Sequence, residues 1–234
     1  MRPLVLAVVQ LHDRTRNTCV NQNGFCPKWI SDHIGDYLSP LWRHVELVVL
    51  SVAIGFALAF GLALLARRWQ WLGAPISAVS GVLYTIPSLA AFFLLLPLTG
   101  FGLVTAVIVL VSYTLLILFR NITVGLQNVP GEVLDAARGM GLTSRELLWR
   151  VELPLAMPEI IAGLRIATTT TVGLAALAFF AGAGGLGEKI NADITFKSNV
   201  VVAGLLCVLL AAVLDLMLVG LQRLAMPWRR AARA

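Results

Sequence analysis

Between Trp69 and Phe119 the chain contains no Asp, Glu, Lys or Arg. A run of that length cannot supply the charged outer face of a soluble domain. One spanning helix needs about 20 apolar residues, so the run suits two helices crossing a membrane with a turn between them. Charge is scarce throughout: 13% of the 234 residues are charged and 59% are hydrophobic, with a mean hydropathy of +0.86. Histidine is absent after His44. Together with the lack of a chain of carboxylates along the apolar runs, this argues against a proton-coupled carrier, which needs an intramembrane relay. The apolar runs hold no nucleophile–base pair and no metal-ligand cluster, which argues against an intramembrane enzyme and predicts no metal site. Gly182–Gly187 is not a nucleotide loop, because the Lys-Ser/Thr ending is missing.

What is present is a set of apolar segments punctuated by arginine. Five spanning helices are predicted: Val45–Ala66, Ala74–Leu96, Gly102–Phe119, Leu155–Ala181 and Val200–Leu221. Pro97, Gly100 and Gly102 mark the turn inside the charge-free run. Arg67, Arg68, Arg120, Arg138, Arg145, Arg150, Arg223, Arg229, Arg230 and Arg233 fall on one side of such a bundle, which the positive-inside rule makes cytoplasmic. The net charge of +6 is then a topology signal, and no nucleic-acid partner is expected. The expected class is an all-α polytopic membrane protein. It has an external N-terminal tail (1–43), a transmembrane domain (44–222) and a basic cytoplasmic tail (223–234).

The N-terminal tail has two readable parts. Pro3–Leu11 is half a span long and is expected to lie at the interface, with the aromatic-rich Trp29–Trp42 anchoring the entry to the first span. Cys19 and Cys26 flank an Asn-Gly turn that brings the sulfurs within reach. Either a disulfide or two free thiols fits, and an external position allows the disulfide. Cys207 falls in the fifth span as packing.

The segment 127–154 is too long and too ordered for a plain connector. Pro130 suits a helix start, with Glu132 and Asp135 near the positive end of its dipole. Gly139 and Gly141 stop that helix. Thr143 to Glu146 fits a capping box opening a second one. On physics alone this is either a rigid docking element for a soluble partner or an amphipathic hairpin lying on the membrane.

Asp135-Ala136-Ala137, then Gly141, then Val151-Glu152-Leu153-Pro154 resembles the EAA loop of binding-protein-dependent ABC importer permeases, with Asp135 in place of Glu and Val151 in place of Ile. The resemblance implies the type I importer permease fold. It also implies an ATPase-coupling role for Asp135, Ala136, Ala137, Gly141, Arg145, Glu146, Arg150, Leu153 and Pro154. Thr85–Ala90, Ala137–Gly141 and Gly182–Gly187 look like the osmoprotectant branch, which imports glycine betaine, choline, carnitine or proline-type solutes. Methionine and amino-acid importers share the fold and are the alternative; a stand-alone secondary transporter is a further one, without the inverted repeats it would need. The implied partners are cytoplasmic ATP-binding subunits, a second permease subunit (a related heterodimer rather than a homodimer), a separate solute-binding protein and the lipid bilayer. ATP and Mg would be bound by the partner, with no cofactor in this chain.

For the solute's route, Pro87 breaks the second span where Tyr84, Thr85 and Ser88 add polar atoms. Thr168 and Thr169 begin a four-threonine run that either lines the route or bonds back to its own helix. Gly184, Gly185 and Gly187 are candidates for an external gate or binding-protein contact, against a simple tight turn. Arg165 requires a carboxylate or the cytoplasmic surface, and Asp215 lies at a suitable depth.

Overall fold

The computed structural model describes residues 18–226. The expected interfacial helix over Pro3–Leu11, and Arg229, Arg230 and Arg233 of the basic tail, lie outside the described residues. Every regular element among those described is helical.

The described residues start with α1 (Thr18–Asn21) and α2 (Pro27–His33). Between them Asn23 takes a left-handed φ of 51°, and Gly24 N–H donates to the Cys19 carbonyl at 3.0 Å. That turn sets the Cys19 and Cys26 Cα atoms 6.0 Å apart, and the two residues are joined by a disulfide. A 3-10 turn, Ile34–Tyr37, feeds α3 (Leu38–Arg68). Helix α3 starts before the expected Val45 because Leu38–Trp42 continues the same helix.

The second expected span, Ala74–Leu96, is instead two helices, α4 (Gly73–Thr85) and α5 (Ser88–Thr99), bent by 97°. Pro87 cannot donate an N–H, so the helix cannot run through it. The carbonyls freed at the break find other partners. Thr85 Oγ1 donates to the Val82 carbonyl at 2.7 Å, and the Tyr113 hydroxyl donates to the Ile86 carbonyl. Next, α6 (Leu103–Gln127) outruns the expected Phe119 by two turns. The segment α7 (Gly131–Gly139), α8 (Ser144–Leu147) and a π turn (Leu148–Glu152) forms an elbow leading into α9 (Leu153–Ala175). Helix α9 stops short of the expected Ala181, giving way to a 3-10 turn (Ala178–Ala181) that ends at Gly182 with φ 69°. Finally α10 (Leu186–Ala192) precedes α11 (Lys197–Ala225).

By length and composition α3, α6 and α11 can each cross a membrane, and the bent α4–α5 pair makes a fourth. Helix α9 is diluted by Glu159, Arg165 and Thr168–Thr171. Contacts between helix ends show how the chain runs. At one end of the bundle Arg67, at the close of α3, pairs with Glu152 at the root of α9. At the other end Arg43 and His44, early in α3, bond to Ala183 and Val172, and Gly102 N–H donates to the Ala181 carbonyl at 2.6 Å. Therefore α4–α5 must carry the chain from the elbow end to the opposite end, α6 carries it back to the elbow, and α9 crosses to the opposite end again. The bent pair is a broken pass through the bundle rather than a loop returning to the same face.

Helix α6 lies at the centre, packed chiefly on α3 and α9. Ala59, Ala63 and Ala66 of α3 pack with Leu118, Phe119 and Ile122 of α6 and with Leu153, Ala156 and Ile160 of α9. Small residues let the backbones approach, as expected where lipid offers no hydrophobic drive between helices. A Cβ on Gly163 would overlap Asn121 of α6, and one on Gly55 would overlap Thr114.

Candidate functional site

The elbow is built from local signals. Helix α7 ends in a Schellman motif: Leu142 N–H donates to the Ala137 carbonyl at 3.3 Å and Gly141 N–H to the Arg138 carbonyl at 2.9 Å. This needs a left-handed residue, and Gly141 supplies φ 84° without a Cβ clash. Thr143 then caps α8. Its hydroxyl accepts from Glu146 N–H, while the Glu146 carboxylate accepts from Thr143 N–H at 3.0 Å and from the Thr143 hydroxyl at 2.8 Å. The bonds from the Thr143 backbone and hydroxyl hold the Glu146 carboxyl below its usual range. Asp135–Arg138 at 3.0 Å and Glu146–Arg150 at 3.9 Å lie at the elbow's surface, where water and salt screen them and each adds little.

The π turn has a readable cause. Pro154 lacks an N–H and its ring would press on the carbonyl four residues back, which a wider turn relieves. Leu147 and Glu152 are both buried, as are Leu148 and Leu153. Each pair is five residues apart, the π spacing, so two adjacent inward pairs survive the change of phase.

The fold divides the expected coupling residues into two groups. Asp135, Ala136, Gly141, Arg145 and Arg150 are exposed, beside Met140 (74% exposed) and Trp149. Ala137 and Leu153 are buried, and Glu146 and Pro154 are half-buried, so these hold the elbow's shape. The outer face therefore mixes cations, carboxylates and two large apolar side chains, which suits a soluble protein partner.

Two charge pairs tie α9 and the π turn at its root to the rest of the bundle. Arg165 forks onto Asp215 of α11, Nε to Oδ1 at 2.7 Å and Nη2 to Oδ2 at 2.8 Å. Arg67 forks onto Glu152, Nε to Oε2 at 2.5 Å and Nη2 to Oε1 at 2.7 Å. The Glu152 side chain is 7% exposed and that of Arg67 29%. Glu152 is buried while Arg67 reaches solvent, so removing one partner costs less than the about 3–5 kcal/mol of a fully buried pair. Sequence reasoning missed this second pair, taking Arg67 only as a topology signal and Glu152 as a spacer in the Val151–Pro154 motif.

Tyr84 and Thr85 are exposed at the α4–α5 break, with the Tyr84 ring 5.7 Å from that of Tyr113; Pro87 is exposed and Ser88 half-buried. Thr168 Oγ1 donates to the Leu164 carbonyl at 2.7 Å, and Thr169 Oγ1 to the Arg165 carbonyl at 3.0 Å. Both hydroxyls are thus used by their own helix. Thr168 lines an apolar groove of about 330 Å³ between α3, α9 and α11, with Val48, Val52, Phe56 and Leu214.

The glycine segment forms a packed corner. Gly184 and Gly185 have φ of 78° and 93°. Gly185 and Gly187 are buried, Gly187 against the Ala176 carbonyl, and Gly184 is half-buried. Arg43 Nε donates to the Ala183 carbonyl at 3.0 Å and Nη1 to Glu46 at 2.6 Å. The surface offered there is that of Gly182 and Glu188.

Residues 51–230 match the family described as the binding-protein-dependent transport system inner membrane component. The chain is 35% identical to the osmoprotectant import permease protein OsmW of Salmonella typhimurium, over 85% of this chain and 96% of that one. It is 33% identical to the choline transport system permease protein OpuBB of Bacillus subtilis, over 82% and 90% respectively. A solved structure of the MetNI methionine ABC transporter, in an inward-facing conformation, superposes with a TM-score of 0.69 at 21% identity, over 81% of this chain and 95% of that chain. At that identity the likeness concerns the fold.

Proposed function

This chain belongs to the binding-protein-dependent transport system inner membrane components, and from that premise we propose that it is the permease of an importer for a small osmoprotectant such as glycine betaine, choline, carnitine or proline. As a member of that family it is a multi-pass membrane protein and a transport component rather than a catalyst. Family membership also implies ATPase partners, a second permease subunit and a solute-binding protein. In our reading the binding protein is separate, the mate is a related chain forming a heterodimer, and the ATPase binds ATP and Mg on this chain's behalf.

The observation that carries the reading is the elbow. It is capped at both turns, continuous with α9, and presents an outer face of Asp135, Met140, Arg145, Trp149 and Arg150. We assign that face to the ATPase, and Ala137, Leu153 and Pro154 to holding its shape. The orientation follows: elbow and C-terminus cytoplasmic, N-terminus external, five crossings. The disulfide between Cys19 and Cys26 agrees with an external, oxidising environment for the opposite end. The solute class is supported by the transport named for the two relatives. The route past Tyr84, Thr85, Pro87 and Ser88 is supported by the exposed break at Pro87. Thr168 would take part through the groove wall, while the hydroxyls of Thr168 and Thr169 both donate to their own helix, and the Gly184–Gly187 corner would meet the binding protein through Gly182 and Glu188.

The test is uptake of radiolabelled glycine betaine, choline, proline and methionine by the complete complex in vesicles. ATP-dependent uptake of a quaternary ammonium solute or proline is expected. Uptake of methionine alone would overturn the substrate assignment.

A further inference from the structure

Helix α3 is gripped at both of its ends by different parts of the molecule. At the elbow end Arg67 forks onto Glu152, in the π turn that joins the elbow to α9. At the far end Arg43 holds the Ala183 carbonyl, and the buried His44 ring bonds to Val172 and Leu186. These grips lie roughly 35 Å apart along one helix.

The contacts around the elbow-end grip are of two kinds. Ala63, Ala66, Leu148 and Leu153 belong to one apolar cluster, and non-directional apolar packing resists separation more than sliding. A guanidinium–carboxylate fork has two parallel bonds of fixed direction and resists both sliding and twisting. Its burial weakens screening by salt. The elbow's other ion pairs, Asp135–Arg138 and Glu146–Arg150, are exposed and internal to it, so they tie it to no other element.

We propose that Arg67 and Glu152 are positioning residues for coupled transport, forming the tie through which movement of the elbow drives α3 and so reaches the glycine corner at the opposite end of the bundle. The proposal rests on the functional reading above. Neither residue touches solute or nucleotide. Their role is to make α3 and the elbow turn as one body.

Two measurements test it. The first uses the full chain in lipid nanodiscs with spin labels at Trp69→Cys and Met140→Cys, in a Cys207→Ser background. A single narrow distance distribution is expected, broadening in Glu152→Gln, which keeps the shape and removes the charge. An unchanged distribution would overturn the tie. The second measures solute imported per ATP hydrolysed by the complete complex, using whichever of glycine betaine or choline the wild type imports. Arg67→Glu and Glu152→Arg should each lower that ratio by about tenfold while hydrolysis continues, and the double charge swap should restore most of it. Wild-type ratios in the single variants, or an assembled double variant that stays uncoupled, would overturn the proposal. A wild-type complex that imports nothing would count against the functional reading instead, and the spin-label distances would still decide the tie.

Discussion

His44 accepts a hydrogen bond at Nδ1 from the backbone N–H of Leu186, 3.3 Å away and on the far side of the glycine corner. A backbone N–H can only donate, so Nδ1 is bare and Nε2 carries the proton, donating to the Val172 carbonyl at 3.0 Å. One fully buried imidazole thus fixes α3, α9 and the start of α10 together, and only in its neutral Nε2–H form.

Replacing His44 by Ala should leave the Leu186 N–H without its partner and open a void, costing about 1–3 kcal/mol for the unmet polar group. The expected outcome is a lower melting temperature of the purified chain and faster amide exchange over Gly184–Leu186. His44→Gln should recover part of the loss. Exchange at Leu186 unchanged in His44→Ala would show that the ring does not hold the corner.

Gly163 faces Asn121 with no room for a Cβ. Gly163→Leu forces α6 and α9 apart and should cost roughly 1–3 kcal/mol or more. The check is the yield of monodisperse protein after detergent extraction. A low yield for Gly163→Leu beside a normal yield for Gly173→Leu, where nothing crowds a Cβ, is the expected pattern. Equal yields would contradict the close approach.

The capping box gives the elbow a pH dependence with a definite sign. Bonds from Thr143 hold the Glu146 carboxyl below its unfolded value. Its contribution is therefore fully present above the ordinary carboxylate value and is lost as pH falls from there through the lowered folded value. Amide protection of Ser144–Leu147, corrected for intrinsic exchange, should hold from pH 7 to about 5 and fall as pH drops further to about 3. Thr143→Ala should lower protection at neutral pH and flatten the response. A native profile as flat as that of Thr143→Ala would remove Glu146 from the elbow's stability.

Much of the elbow was legible because its determinants are local. Gly141 answers a backbone requirement at its own position, and Thr143 and Glu146 form a cap across three residues. The Arg165–Asp215 pair was nameable for another reason: charge is so scarce in the apolar runs that few partners existed. Pro87 announces a break, but the size of the bend, 97°, and the partner of the freed Ile86 carbonyl, Tyr113 of another helix, are set by tertiary packing. The π turn answers two demands at once, the missing N–H of Pro154 and the burial of Leu147, Leu148, Glu152 and Leu153. Periodicity alone does not reveal such a compromise. Arg67 and Glu152 meet only through the packing of α3 on α9, and no local pattern marks either one. For the glycine segment the sequence allows a gate, a binding-protein contact or a tight turn, because glycine lacks the side chain that would favour one of them. Its neighbours Arg43, His44 and Ala176 instead use the absent side chains for close packing.

The most direct test of the account concerns the elbow's outer face. Met140→Cys, in a Cys207→Ser background, is probed with a membrane-impermeant maleimide. The thiol should react in inside-out vesicles, not in intact cells, and should become protected when the ATP-hydrolysing subunit is bound. Reaction from the outside of intact cells, or no protection by that subunit, would contradict the assignment of this surface.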